Sequence, residues 1–90
     1  MGAKAEVGWT RRTEEGVRVE VYAQHVGRRW LFYTRAKRHD QWEAVKEPPL
    51  VDWLELLDAV ERMIPRRRYM PTDAEHLRKT IRERFPGTEV

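Results

Sequence analysis

Cysteine and serine are both missing from this 90-residue chain. Without cysteine there is no disulfide, thiolate metal ligand or thiol nucleophile, and without serine the commonest hydroxyl nucleophile is gone as well. Long apolar runs are missing too: the longest spans a few residues, far short of the roughly 20 that a membrane-crossing helix requires. The opening residues Met1-Gly2-Ala3-Lys4-Ala5-Glu6 have no apolar stretch behind the lysine, so no secretory leader is expected. Gly2 begins a myristoylation pattern, but Glu6 stands where Ser or Thr is needed. A cytoplasmic location without membrane contact is the expectation.

A large charge of one sign is also lacking. Eighteen basic residues face fifteen acidic ones, a net +3, so only uneven placement could create an attractive field. Arginine greatly outnumbers lysine, which suits two-pronged anion recognition but equally follows from a GC-rich coding sequence. Surface scaling for a chain of this mass buries about 65% of its area on folding, enough for one core without a covalent staple. A single domain over residues 1–90 is therefore expected.

What is present begins with alternation. Val17, Val19, Val21 and Ala23 are interleaved with Arg18, Glu20, Tyr22 and Gln24, the period of a half-buried strand. Val7, Trp9 and Arg11 form a similar run before it, and Glu14-Glu15-Gly16 makes a three-residue hairpin loop between them. That loop sets Thr13 opposite Val17 and Trp9 opposite Val21. A turn at His25 to Arg28 leads into Arg29 to Ala36, aromatic and apolar on both parities. An even-length loop there puts Trp30 beside Ala23 and Phe32 beside Val21; an odd one exchanges them for Leu31 and Tyr33. The even loop is preferred. Lys37-Arg38-His39-Asp40 then turns into a short strand, Gln41 to Lys46.

Pro48-Pro49 closes the strand region and opens a helix. Leu50, Trp53, Leu54, Leu57 and Val60 recur at helical spacing, widened by Leu56, Met63 and Ile64, with Asp58 and Arg62 forming an i,i+4 pair. Asp52 and Glu55 near its start and Arg62 near its end suit the helix dipole. Pro65 stops it. Thr72-Asp73-Ala74-Glu75 reads as a capping box for a second helix with the stripe Ala74, Leu77, Ile81 and Phe85, ended by Pro86-Gly87. The expected fold is α+β. It is an antiparallel β-meander of three to four strands (about 6–13, 17–24, 29–36, 41–46), followed by two C-terminal helices (about 50–64, 73–85) packed on one sheet face. No motif between Trp9 and Phe85 attaches the chain to a named family.

Catalytic chemistry finds no support. His25, His39 and His76 have no metal-ligand spacing, the glycines form no phosphate-cradling pattern, and each carboxylate has an ordinary turn, cap or helix role. Neither an enzyme nor a cofactor is expected. Binding is the remaining class. Arg18, Tyr22, Leu31, Tyr33 and Arg35 fall on the sheet face opposite the valines, where tyrosine and arginine suit a protein interface or homodimer, and where bases could also stack. A non-enzymatic interaction module engaging protein, including a second copy of itself, is the favoured reading. The rival is weak, sequence-tolerant nucleic-acid binding. The meander brings Arg11, Arg12, Lys37 and Arg38 to one end, and the first helix runs back toward it, carrying Arg66, Arg67 and Arg68. Arg28-Arg29 falls at the other end, and Glu14, Glu15 and Asp40 temper the rim. The helix pair has too long a connection, and no glycine in it, for a helix-turn-helix. If the rim neutralises three to five phosphates, log affinity for duplex DNA against log salt should slope at about −3 to −4.5. Changing Arg66, Arg67 and Arg68 to glutamate should then abolish binding in a titration.

Overall fold

The computed structural model describes residues 6–27, 29–37 and 40–90, so Arg28, Arg38 and His39 from the reading above lie outside the described residues. Four strands are followed by two helices: β1 (Glu6–Arg12), β2 (Arg18–Val26), β3 (Arg29–Arg35), β4 (Glu43–Val45), α1 (Leu50–Met63) and α2 (Pro71–Arg84). The α+β class and the meander are as expected, the sheet order being β1-β2-β3-β4 with every pair antiparallel. The chain divides into two compact units, a sheet unit up to Pro48 and a helical unit from Pro49.

In the sheet unit, turn chemistry sets the register. Gly16 sits at φ +86 and donates its N–H to the Thr13 carbonyl at 2.9 Å, while the Thr13 N–H reaches the Val17 carbonyl at 2.8 Å. This is the three-residue loop read from the sequence, and it places Trp9 opposite Val21. Gly27, at φ +62, lies in a two-residue connection closed by the Val26–Arg29 pair. Such a tight hairpin needs positive φ, which glycine adopts without a Cβ clash. The even loop is therefore the one formed, with Ala23 opposite Phe32 and Tyr22 opposite Tyr33. Partners differ in detail from the expectation: Trp30 pairs with His25, and the two rings stack at 4.3 Å.

One sheet face carries Val7, Val21, Ala23 and Phe32, all buried, with Trp9 half-buried and edge-on to Phe32 at 6.4 Å. Val17 does not join them. It precedes β2, in the hairpin connection rather than the ladder, and is 48% exposed. The strand instead extends two residues further, to Val26, because the tight second loop keeps the ladder paired to its end.

The helical unit departs more from its sequence reading. In α1 the buried residues are Asp52, Trp53, Leu56, Leu57, Ala59 and Val60. They form two adjacent rows, 53-57-60 and 52-56-59, instead of one stripe. Leu54 falls outside both rows and is 37% exposed. Asp52, in the first turn of α1 as the helix dipole favours, is only 1% exposed. The Asp58–Arg62 pair forms at 3.0 Å. In α2 the stripe Ala74, Leu77 and Ile81 is buried as expected, and Phe85 lies half-buried just past the helix.

The expected cap on Thr72 and Glu75 is not the one used. Pro71 takes the first helical position, where its missing N–H has no helical acceptor to lose, making Met70 the N-cap residue. The Met70 N–H donates to Asp73 Oδ2 at 2.8 Å, so Asp73 performs the reach-back assigned to Glu75. Between the helices, the Arg68 N–H bonds the Met63 carbonyl (3.2 Å) and the Arg67 N–H bonds the Ile64 carbonyl (2.8 Å). These are the two bonds of a Schellman termination, and Arg67 occupies its left-handed position at φ 63. Tyr69, buried beside this turn, has its hydroxyl pKa raised above the ordinary 10 by desolvation; Arg68 lowers it and Asp73 raises it further.

An arginine at the left-handed position of a helix terminus carries a Cβ penalty of about 1 kcal/mol that glycine lacks. Arg67→Gly should therefore leave the protein equally stable or up to about 1 kcal/mol more stable, read from the urea midpoint. Arg67→Val should destabilise it, since β-branching worsens the same clash.

Candidate functional site

The second face of the sheet is built from side chains one residue out of phase with the buried set. Counting across the ladders, Gly8, Tyr22, Tyr33 and Ala44 form one row, and Thr10, Glu20 and Arg35 form the next. Trp42, just before β4, extends that second row. Tyr22, Tyr33, Arg35, Glu20 and Trp42 are half-buried, whereas Gly8 and Thr10 are exposed.

These side chains make one connected array. The Tyr22 and Tyr33 rings stack at 4.8 Å with 17° between their planes, as cross-strand neighbours can. Trp42 meets Tyr22 edge to face at 4.7 Å. The Arg35 guanidinium lies 4.3 Å from the Trp42 ring centre, and its Nε donates to Glu20 Oε1 at 2.7 Å. Each contact is modest alone: about 0.5–1.5 kcal/mol for an aromatic pair, and about 1 kcal/mol for a cation over a ring. Together they tie β4, only three residues long, to β2 and β3.

Beside the array is a cleft of about 610 Å³, lined by Val7, Gly8, Trp9, Thr10, Glu20, Val21, Tyr22 and Trp42. Gly8 opens it. This glycine is not among those at positive φ, and a Cβ there would meet the Val21 carbonyl oxygen at 3.4 Å and the Tyr22 Cβ at 3.6 Å, ordinary contacts. Neither backbone conformation nor crowding demands a glycine in mid-strand, where it costs roughly 0.5–1 kcal/mol against alanine. A glycine so placed commonly marks close approach by a ligand or another backbone.

Of the residues read from sequence, Arg18, Tyr22, Leu31, Tyr33 and Arg35 all share this face, Arg18 exposed at its end and Leu31 half-buried. Missed were Trp42, Glu20, Gly8 and Thr10. A signal for Trp42 existed: a four-residue turn at 37–40, counted across, sets position 42 against Arg35, the alignment consistent with the observed Tyr33–Ala44 pair.

The basic rim is divided between the units. In the sheet unit Arg11 is half-buried, Arg12 is exposed with Nη1 bonded to the Gly16 carbonyl at 3.0 Å, and Lys37 is exposed. Glu14 and Glu15 are exposed in the β1–β2 loop, and Asp40 accepts the Lys37 backbone N–H at 3.2 Å. Arg66, Arg67 and Arg68 are exposed in the turn of the helical unit. On α2, Arg78 is drawn into an ion pair with Glu61 of α1, and Arg82 donates to the Val90 carbonyl at 3.1 Å. Arg84 lies 5.2 Å from the Trp53 ring centre. Among the described residues no cluster of three or more histidine and carboxylate side chains could hold a metal ion, and no helix is long and apolar enough to cross a membrane.

No family model, curated protein or solved structure matches this chain. The face and its cleft are therefore read from their own chemistry.

Removing the Trp42 ring deletes one aromatic contact and the cover over Arg35. Trp42→Ala should cost about 2 kcal/mol in urea denaturation. Hydrogen exchange should quicken at Ala44 and Val45 before it does in β2.

Proposed function

We propose that this chain is a non-enzymatic protein-interaction module whose contact surface is the aromatic face of the sheet, with the cleft at Gly8 receiving a partner side chain. The carrying observation is the state of the rings. Base stacking needs open ring faces and a free cation for the phosphate. Here Tyr22 and Tyr33 occupy each other's faces, Arg35 lies over Trp42, and Glu20 neutralises Arg35. What the face still offers is ring edges, apolar area, Arg18 at one end away from the rings, and a shallow cleft floored by a residue without a side chain. That suits a protein surface, where tyrosine, tryptophan and arginine are enriched.

The reading is tested with peptides selected from a random display library against the intact chain. Gly8→Val fills the cleft with a strand-favouring residue, so it keeps the fold and should weaken the selected peptides at least tenfold. Glutamates at Arg66, Arg67 and Arg68 should leave them unchanged. Peptides indifferent to Gly8→Val and Trp42→Ala would overturn the proposal, as would duplex DNA binding that depends on the three arginines.

A further inference from the structure

β1 is an edge of the sheet: its inner side pairs with β2 along all seven residues, and its outer side has no strand beside it among the described residues. Edge strands of this length are ordinarily blunted by proline, a bulge or scattered charge, because their free N–H and C=O groups template further pairing. β1 has no proline, its register runs unbroken, and its basic residues are confined to one end.

The hydrogen-bond phase identifies which groups are available. The Thr13 N–H donates across the hairpin to the Val17 carbonyl, so the inward-directed backbone groups of β1 fall on the parity of Thr13, since antiparallel ladders alternate bonded with non-bonded pairs. Arg11, Trp9 and Val7 therefore direct their backbone groups to β2, while Arg12, Thr10, Gly8 and Glu6 direct theirs outward. These outward residues belong to the parity of the aromatic face.

We infer that β1 pairs antiparallel with β1 of a second copy, about a two-fold axis at Trp9, joining two four-stranded sheets into one of eight strands. Among two-fold registers, this one pairs the whole strand, and it matches bonded positions with bonded positions. It sets Gly8 opposite Thr10 of the second copy, so the vacancy at Gly8 adjoins a residue with a side chain. The acidic residue Glu6 comes opposite the basic Arg12, twice by symmetry. Trp9 comes opposite Trp9 at the closely spaced, non-bonded position, where cross-strand aromatic pairs are favourable. A self-complementary patch is what an isologous interface requires. The pairing does not depend on the aromatic face being the ligand surface; it would set two such faces side by side.

Sedimentation equilibrium on the intact chain provides the test. The mass should rise from one chain toward two between roughly 10 µM and 1 mM, as suits a small interface. Arg12→Glu alone and Glu6→Arg alone should each weaken the dimer about tenfold by opposing like charges. An equal mixture of the two variants should associate again, because each supplies what the other lacks. Thr10→Pro removes an N–H that the chain's own ladder does not use, and should yield a folded monomer by circular dichroism and mass. A single-chain mass at 1 mM would overturn the inference. So would a mixture no more associated than its components, or a dimer that survives Thr10→Pro. A dimer lost in Trp42→Ala but kept in Thr10→Pro would place self-association on the aromatic face instead, overturning the edge pairing while supporting that face as an interaction surface.

Discussion

The alignment of β2 with β3 is the constraint on which the sheet's surfaces depend. A strand's side chains alternate with period two, so a one-residue slip would send Tyr33 to the valine face and Phe32 outward. The tight connection at Gly27 prevents that slip, since a two-residue hairpin loop admits one register and needs positive φ. From the Tyr22–Tyr33 pair, the adjoining rows follow by counting: Gly8 on one side, Ala44 on the other, and Glu20 opposite Arg35 one row along.

The two faces differ in how they use aromatic residues. On the valine face, Phe32 is buried and Trp9 meets it by its edge, the packing of an interior. On the other, half-exposed face, Tyr22, Tyr33 and Trp42 cover one another and the Glu20–Arg35 pair. Self-coverage limits the apolar area left to water while keeping edges and one cleft accessible. It also pairs the Arg35 charge with Glu20, while Arg18 stays exposed at the end of the face. The same side chains thus anchor a three-stranded core to a short fourth strand.

Much of this was legible in the chain. The strict alternation from Arg18 to Gln24 and the glycines at 16 and 27 are local signals, and local sterics decide their outcome. Legibility fell where two local signals competed. Thr72 with Glu75 and Met70 with Asp73 both permit a helix start, and Pro71 decides between them by its preference for the first helical position. Likewise Leu54 and Leu56 are equally apolar, yet only Leu56 is buried, because the width and placement of the covered arc depend on what surrounds α1. Asp52 is the sharpest case, as its composition argued for water and its place in the helix put it inside.

By itself, then, the sequence determined the order of elements, their polarity and the faces of the first three strands, since each rests on neighbours within a few residues. It also placed five residues of the aromatic face on a common side. Tertiary structure decided the rest: Trp42 completing the array, Glu20 neutralising Arg35, and Gly8 opening a cleft instead of merely loosening a strand. Those outcomes depend on contacts between residues far apart in the chain, where the distance and angle of approach are set by the assembled sheet rather than by any one segment.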